Sequence, residues 1–178
     1  CSVDDASGLL AATIRDDDPV VYLEHRGLYW SKGSIMSHVD PATIGLAAVV
    51  RPGADVTVVA VSRMVQVAMS AAEKLAADGV DVEVVDLRTV SPIDLETITE
   101  SIRRTGRLVV AHEAVVTAGL GAELVAGVHA AAFNSLTSPA IRVGAPFTPV
   151  PASPHLERLY VPTVDDVIAA VLETLPER

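Results

Sequence analysis

From Asp55 onward the chain alternates short apolar runs with longer stretches whose apolar positions recur every three or four residues. DVTVVAV (55–61), DVEVVDL (81–87), RLVVAH (107–112) and AIRVGA (140–145) are too short for helices and mostly valine-rich, which reads as buried strands. Between the first two, RMVQVAMSAAEKLAADG (63–79) sets Val65, Ala68, Ala72, Leu75 and Ala76 on one stripe and stops at Gly79. Ser91-Pro92-Ile93-Asp94 predicts a second helix, with Ser91 as N-cap, Pro92 at the first helical position and Leu95, Ile98 and Ile102 on its apolar face. Residues 119–136 read as a third helix, and the proline-rich PFTPVPASP after 145 as irregular. Thr163 to Asp166 form a capping box ahead of Val164, Val167, Ile168, Val171, Leu172 and Leu175, the spacing of an amphipathic helix. Strand and helix alternating in this way predict a three-layer α/β fold, a mostly parallel sheet with helices on both faces.

The first third has a different rhythm. Residues 4–15 place Leu9, Leu10, Thr13 and Ile14 on one helix face, and Asp16-Asp17-Asp18-Pro19 ends that helix. VVYLE (20–24) is a short strand candidate. Residues 26–53, punctuated by Gly27, Gly33, Pro41, Gly45, Pro52 and Gly53, read as a linker interrupted by a weak apolar patch, IGLAAVV. The expected division is therefore a tail of one domain at 1–25, a linker at 26–53 and a complete domain at 54–178.

Composition narrows the function classes. Half of the residues are hydrophobic but only 3% aromatic, so the core must be built from Ala, Val, Leu and Ile, as under a covered parallel sheet. The formal net charge of −10 excludes a nucleic-acid binder, which needs a basic face against phosphates. It suits either a solvated acidic exterior or a basic protein partner. Cys1 is the single cysteine, so no internal disulfide can form, which suits the cytoplasm. No run reaches the ~18 apolar residues of a membrane span. The opening CSVDD carries neither an initiator Met nor a signal peptide, and we expect a piece of a longer polypeptide.

Candidate chemistry centres on VVAHEAVVTAGLGAEL (109–124), where an apolar run stops at His112-Glu113 before a glycine turn and a helix. Open α/β sheets place ligands at such strand ends. A dinucleotide fingerprint fails here, because Leu124 stands where the third glycine belongs. An imidazole beside a carboxylate offers acid–base chemistry, but adjacent strand residues face opposite ways, which favours a structural role. No G-x-S-x-G occurs, and Ser62 follows a strand without flanking glycines. His25, His38, His112, His129 and His155 lack zinc-site spacing. Asp16, Asp17 and Asp18 are hard oxygen donors, open to a cation or to water alone.

Several stretches in order across the chain, among them LLAATIRDDDPVVYLEHRGLY, VEVVDLRTVSPIDLETI, TGRLVVAHEA, GLGAELVAGV and RVGAPFTPVPASPHLERLYVPTVDDVIAAV, resemble the beta subunit of thiamine-diphosphate-dependent 2-oxoacid dehydrogenases of the pyruvate, branched-chain and acetoin type. The resemblance implies that 1–25 ends the pyrimidine-binding domain and that 54–178 is a transketolase C-terminal domain. The family's cofactor-activating glutamate and active-site histidine would lie upstream. Its diphosphate and magnesium motif would belong to the alpha subunit, and no G-D-G occurs here. The chain alone is thus expected to be inactive. The family's potassium site maps onto Thr13, Asp16 and Asp18, where the family often has cysteine and asparagine at the outer two positions. Implied partners are the alpha subunit, a second beta subunit and the basic subunit-binding domain of the dihydrolipoyl acyltransferase, which acids Asp165, Asp166, Glu173 and Glu177 would attract. Two rivals share the fold: a free-standing regulatory or scaffold domain, and the C-terminal domain of another thiamine enzyme such as a transketolase or deoxyxylulose-phosphate synthase.

Overall fold

The computed structural model describes residues 2–33 and 42–176. Cys1, His38, Pro41 and Glu177 lie outside the described residues.

The valine-rich runs form the sheet. β2 (Val56–Ala60) and β3 (Val82–Asp86) are buried along their whole length, as strands covered on both faces must be. With β1 (Ala48–Arg51), β4 (Leu108–Val115) and β5 (Ile141–Ala145) they make five strands ordered β1-β3-β2-β4-β5. Pairing is parallel except for β1, which runs antiparallel to β3. α2 (Arg63–Ala77) and α6 (Val164–Thr174) cover one face, burying Met64, Leu75, Val167 and Val171 against Val58, Val84 and Val109. α3 (Leu95–Thr105) and α4 (Leu120–Ala132) cover the other, burying Ile98, Ile102, Leu124 and Val128 against Val59, Val85 and Val110. The three-layer, mostly parallel α/β arrangement is the one the sequence pattern predicts. Among the described residues no helix is long and apolar enough to cross a membrane.

Four local expectations change. The second helix starts at Asp94, not Ser91. The Asp94 carboxylate accepts from Thr97 N (3.0 Å), Thr97 Oγ1 (2.7 Å) and Ala47 N (2.8 Å), more than a serine hydroxyl offers as a cap. Burial works to raise its pKa, but the Thr97 and Ala47 bonds outweigh that and hold the carboxyl below its usual value. The stretch 20–24 forms no strand and joins no sheet. β1 emerges inside the stretch read as linker; Gly53 just after it lies where an added Cβ would sit 2.3 Å from Glu83 N, so only glycine lets the backbones approach so closely. Finally, a short helix, α5 (Pro154–Tyr160), forms in the proline-rich tail, with its proline in the first turn, where the missing N–H costs nothing.

α1 (Val3–Arg15) confirms the first helix but not its face. Leu10 and Ile14 are exposed, and only Asp5 and Gly8 are buried.

Candidate functional site at the carboxyl edge of the sheet

Successive crossovers from β2 go first to β3 on one side and then to β4 on the other, so the strand order reverses between β2 and β4. In open α/β sheets the crevice outside the carboxyl ends at such a reversal is where ligands bind. Three of the loops leaving that edge carry a non-glycine residue in the left-handed region: Ser62 (φ 56°) after β2, Arg88 (φ 58°) after β3 and Ala118 (φ 55°) after β4. Such conformations persist only where surrounding contacts enforce them.

His112 lies in a bulge of β4, where pairing with β5 shifts between Ala111 and Val115. The ring is buried, and its Nδ1–H donates to Ala114 O at 3.0 Å, which fixes the tautomer. Nε2 meets no hydrogen-bond partner among the described residues. Three glycines from three segments close on the ring: an added Cβ would stand 3.0 Å away at Gly119, 2.6 Å at Gly121 and 3.0 Å at Gly144. Burial lowers the imidazole pKa; the Ala114 carbonyl opposes that shift and Arg142 adds to it. The outcome is a neutral, enclosed ring with no room beside it for substrate. It also explains why the glycine turn cannot seat a diphosphate, since its close approach is spent on His112.

Glu113 points to the other side, as strand geometry requires. Its carboxylate accepts from Arg63 Nη1 (3.0 Å) at the start of α2 and from His25 Nε2 (2.9 Å). His25 Nδ1 accepts from Gly27 N at 3.0 Å, so Nε2 carries the hydrogen that Glu113 receives. Next along the edge, Arg88 N donates to Asp86 Oδ1 (3.0 Å), which holds the left-handed turn, and Arg88 Nη2 donates to Asp5 Oδ1 (2.5 Å) on α1. The structure therefore parts His112 from Glu113 and joins Glu113 to His25 and Arg63, and Arg88 to Asp5. The sequence reading did not single out these pairs, since nothing local to Arg88 or Glu113 marks its partner.

The other candidates are dispersed. Thr13 Oγ1 donates back to Leu10 O (2.9 Å), and Asp18 N donates to Asp16 Oδ1 (2.9 Å), all exposed on the end of α1 and the turn after it. Among the described residues no three His, Cys, Asp or Glu side chains converge as a metal site. Asp166 is engaged in the α6 capping box, and Asp165 faces Lys74 at 3.4 Å. One depression, about 290 Å³, opens beside Val115, Phe147, Thr148 and Pro149, and none of these residues carries a charge.

The chain matches the family model of the transketolase C-terminal domain over residues 45–167. It is 42% identical over 171 residues to the beta subunit of acetoin:2,6-dichlorophenolindophenol oxidoreductase from Cupriavidus necator, covering 96% of this chain and 51% of that protein. It is 45% identical over 172 residues to the pyruvate dehydrogenase E1 component subunit beta from Staphylococcus aureus, with 96% and 53% covered. The chain thus spans about half the length of the curated relatives it matches. Among solved structures it resembles a split-gene transketolase described as an inactive beta4 tetramer, with a TM-score of 0.70 and 34% identity over 80% of this chain and 46% of that one.

Proposed function

The chain belongs to the transketolase C-terminal domain family, and from that premise we propose that it is the carboxyl-terminal half of the beta subunit of a 2-oxoacid dehydrogenase decarboxylase. One observation carries the reading: the likeness to beta subunits takes in 96% of the chain, so it includes the N-terminal tail as well as the family domain. The intact enzyme would oxidatively decarboxylate a 2-oxo acid and pass the acyl group to lipoamide, in the cytoplasm, with an alpha subunit and a second beta subunit.

Thiamine diphosphate supplies the electron sink for decarboxylation when bound. The residues present here do not fit it. The glycine turn is filled by His112, the crevice at the strand reversal by His25 and Glu113, and the open depression has no donor set for a diphosphate. The chain's own contribution is assembly. The division into a tail of the pyrimidine-binding domain at 1–25, a linker at 26–53 and the C-terminal domain at 54–178 belongs to this reading. Potassium at Thr13, Asp16 and Asp18 would draw on oxygens at the end of α1, with further donors from upstream residues; magnesium would come with the alpha subunit. Asp165 and Glu173 would face the basic subunit-binding domain of the acyltransferase, a contact that weakens as salt screens it.

The test is reconstitution. The chain extended by its upstream catalytic half and mixed with an alpha subunit should decarboxylate pyruvate or a branched 2-oxo acid, read by dye reduction, whereas the 178-residue chain alone should not. Turnover by the isolated chain would overturn the proposal, and so would an extended subunit that forms no complex with any alpha subunit.

A further inference from the structure

Residues 2–33 lie against the domain without sharing its core. Neither apolar cluster includes any of them, and α1 has no extended packing on any strand or helix of the domain. Their larger apolar side chains point outward: Ile14, Val21, Leu23, Tyr29 and Trp30 are all more than half exposed. What joins them to the domain is polar. Asp5 meets Arg88 at the end of β3, and His25 meets Glu113 at the end of β4, which Arg63 braces from α2. A weaker contact runs from Gln66 to Ser31 at 3.3 Å.

We propose that the carboxyl edge of the sheet is a polar docking edge for the catalytic half of the beta subunit, with Arg88 and Glu113 as two separate latches that seize segment 2–33. The identity of that half rests on the proposed function; the latches themselves do not.

Three observations support it. First, the Arg88 latch is built where the backbone is forced, and Arg63, which braces the Glu113 latch, sits beside such a position. Arg88 stands at φ 58°, held by Asp86, and Arg63 directly follows Ser62 at φ 56°. A left-handed arginine gains nothing from its own conformation, so its side-chain contact accounts for its presence. Second, the His25 tautomer is preset by Gly27 N to donate to Glu113, which organises the contact before docking. Third, α1 has 13 residues, a length at which an isolated helix is marginal in water. Its capping box between Ser2 and Asp5 lies within the segment itself, whereas the Arg88 contact ties the same Asp5 to the domain.

Hydrogen exchange on the full 178-residue chain tests this. Arg88→Ala should raise exchange of the α1 amides at least tenfold, and Glu113→Ala should do the same for the turn amides Leu28, Tyr29 and Ser31. Amides in β2, β3 and the first part of β4 should keep their protection. His25→Ala, which alters the segment rather than the sheet, should reproduce the Glu113 effect if that variant folds poorly. Lys74→Ala, which breaks only the exposed pair with Asp165, should change neither region. Unchanged exchange over 2–33 in the Arg88→Ala/His25→Ala double variant would overturn the proposal. So would protection lost equally in β2 to β4, which would make these residues general stabilisers. Failure of reconstitution with an alpha subunit would instead sink the enzyme reading and leave the latches standing.

Discussion

Gly121→Ala probes the packing around His112 directly. In an ordinary helix the change would help, by up to about 1 kcal/mol, and by less at this second position of α4, where the helix is only starting. Here the new methyl would lie 2.6 Å from His112 Nε2 and 2.9 Å from Cδ2. The ring cannot swing aside, because Gly119 and Gly144 close on Cε1 and the Nδ1–H is tied to Ala114 O. Forcing a methyl into such packing costs roughly 1–3 kcal/mol, which exceeds the helix gain. The expected net loss is about 1–2 kcal/mol, a fall in Tm of roughly 2–8 °C for a chain of this size. The assay is a double-mutant cycle by urea denaturation with His112→Ala as the second change. Once the ring is gone, Gly121→Ala should become neutral or stabilising. A Gly121→Ala chain as stable as its parent, or an equal loss with and without the imidazole, would refute the claim that His112 is what keeps this position glycine.

Two further perturbations read other parts of the same edge and core. Because burial holds the folded-state pKa of His112 below the usual 6.5, the fold favours the neutral ring. Its contribution is complete above that value and is lost as pH falls through the lower folded pKa, while the carboxyl of Asp94 begins to matter only below 3.8. Stability measured between pH 7.5 and 5 should therefore fall more in the parent than in His112→Gln, and parallel curves would count against it; Arg142 and Glu113 are the charged groups on and beside the strand. Glu83 in β3 is 1% exposed and pairs with Arg104 (2.5 Å) and Thr57 Oγ1 (3.2 Å). Removing the arginine strands a buried carboxylate, so Arg104→Ala should cost about 3 kcal/mol, the lower end for a broken buried pair because the guanidinium is half exposed. Adding Glu83→Gln should recover part of that loss, and a double variant no better than the single would contradict the account.

The parts of the fold that were legible are those where burial and local order agree. β2 and β3 announce themselves as short valine-rich runs, as strands covered on both faces are; α6 does so because its capping box and its apolar stripe start at the same place. Misreadings arose where local signals compete or where a partner lies far away. Ser91-Pro92 has the form of a helix start, but Asp94 gains a third bond from Ala47, 47 residues earlier, which no window around position 94 contains. VVYLE has the apolar, β-branched and aromatic composition of a strand but pairs with none. β1 hides among glycines and prolines because an edge strand paired on one side only needs just four residues and little burial.

The carboxyl edge was the least legible part, and for the same reason. That His112 and Glu113 face apart follows from the two-residue period of a strand, and was readable. What each one meets depends on contacts between distant positions: Arg63 and Glu113 are 50 residues apart and Asp5 and Arg88 are 83 apart. A carboxylate at the end of a parallel strand carries the same local pattern whether it faces a substrate or another stretch of its own chain. Here the imidazole next to it in sequence is enclosed by three glycines, and the donors the carboxylate does meet come from Arg63 on α2 and from His25 in the N-terminal segment. The edge that receives a ligand in many open α/β sheets is thus filled by the chain itself, and polar residues that resemble catalytic machinery in sequence hold the N-terminal segment against the sheet.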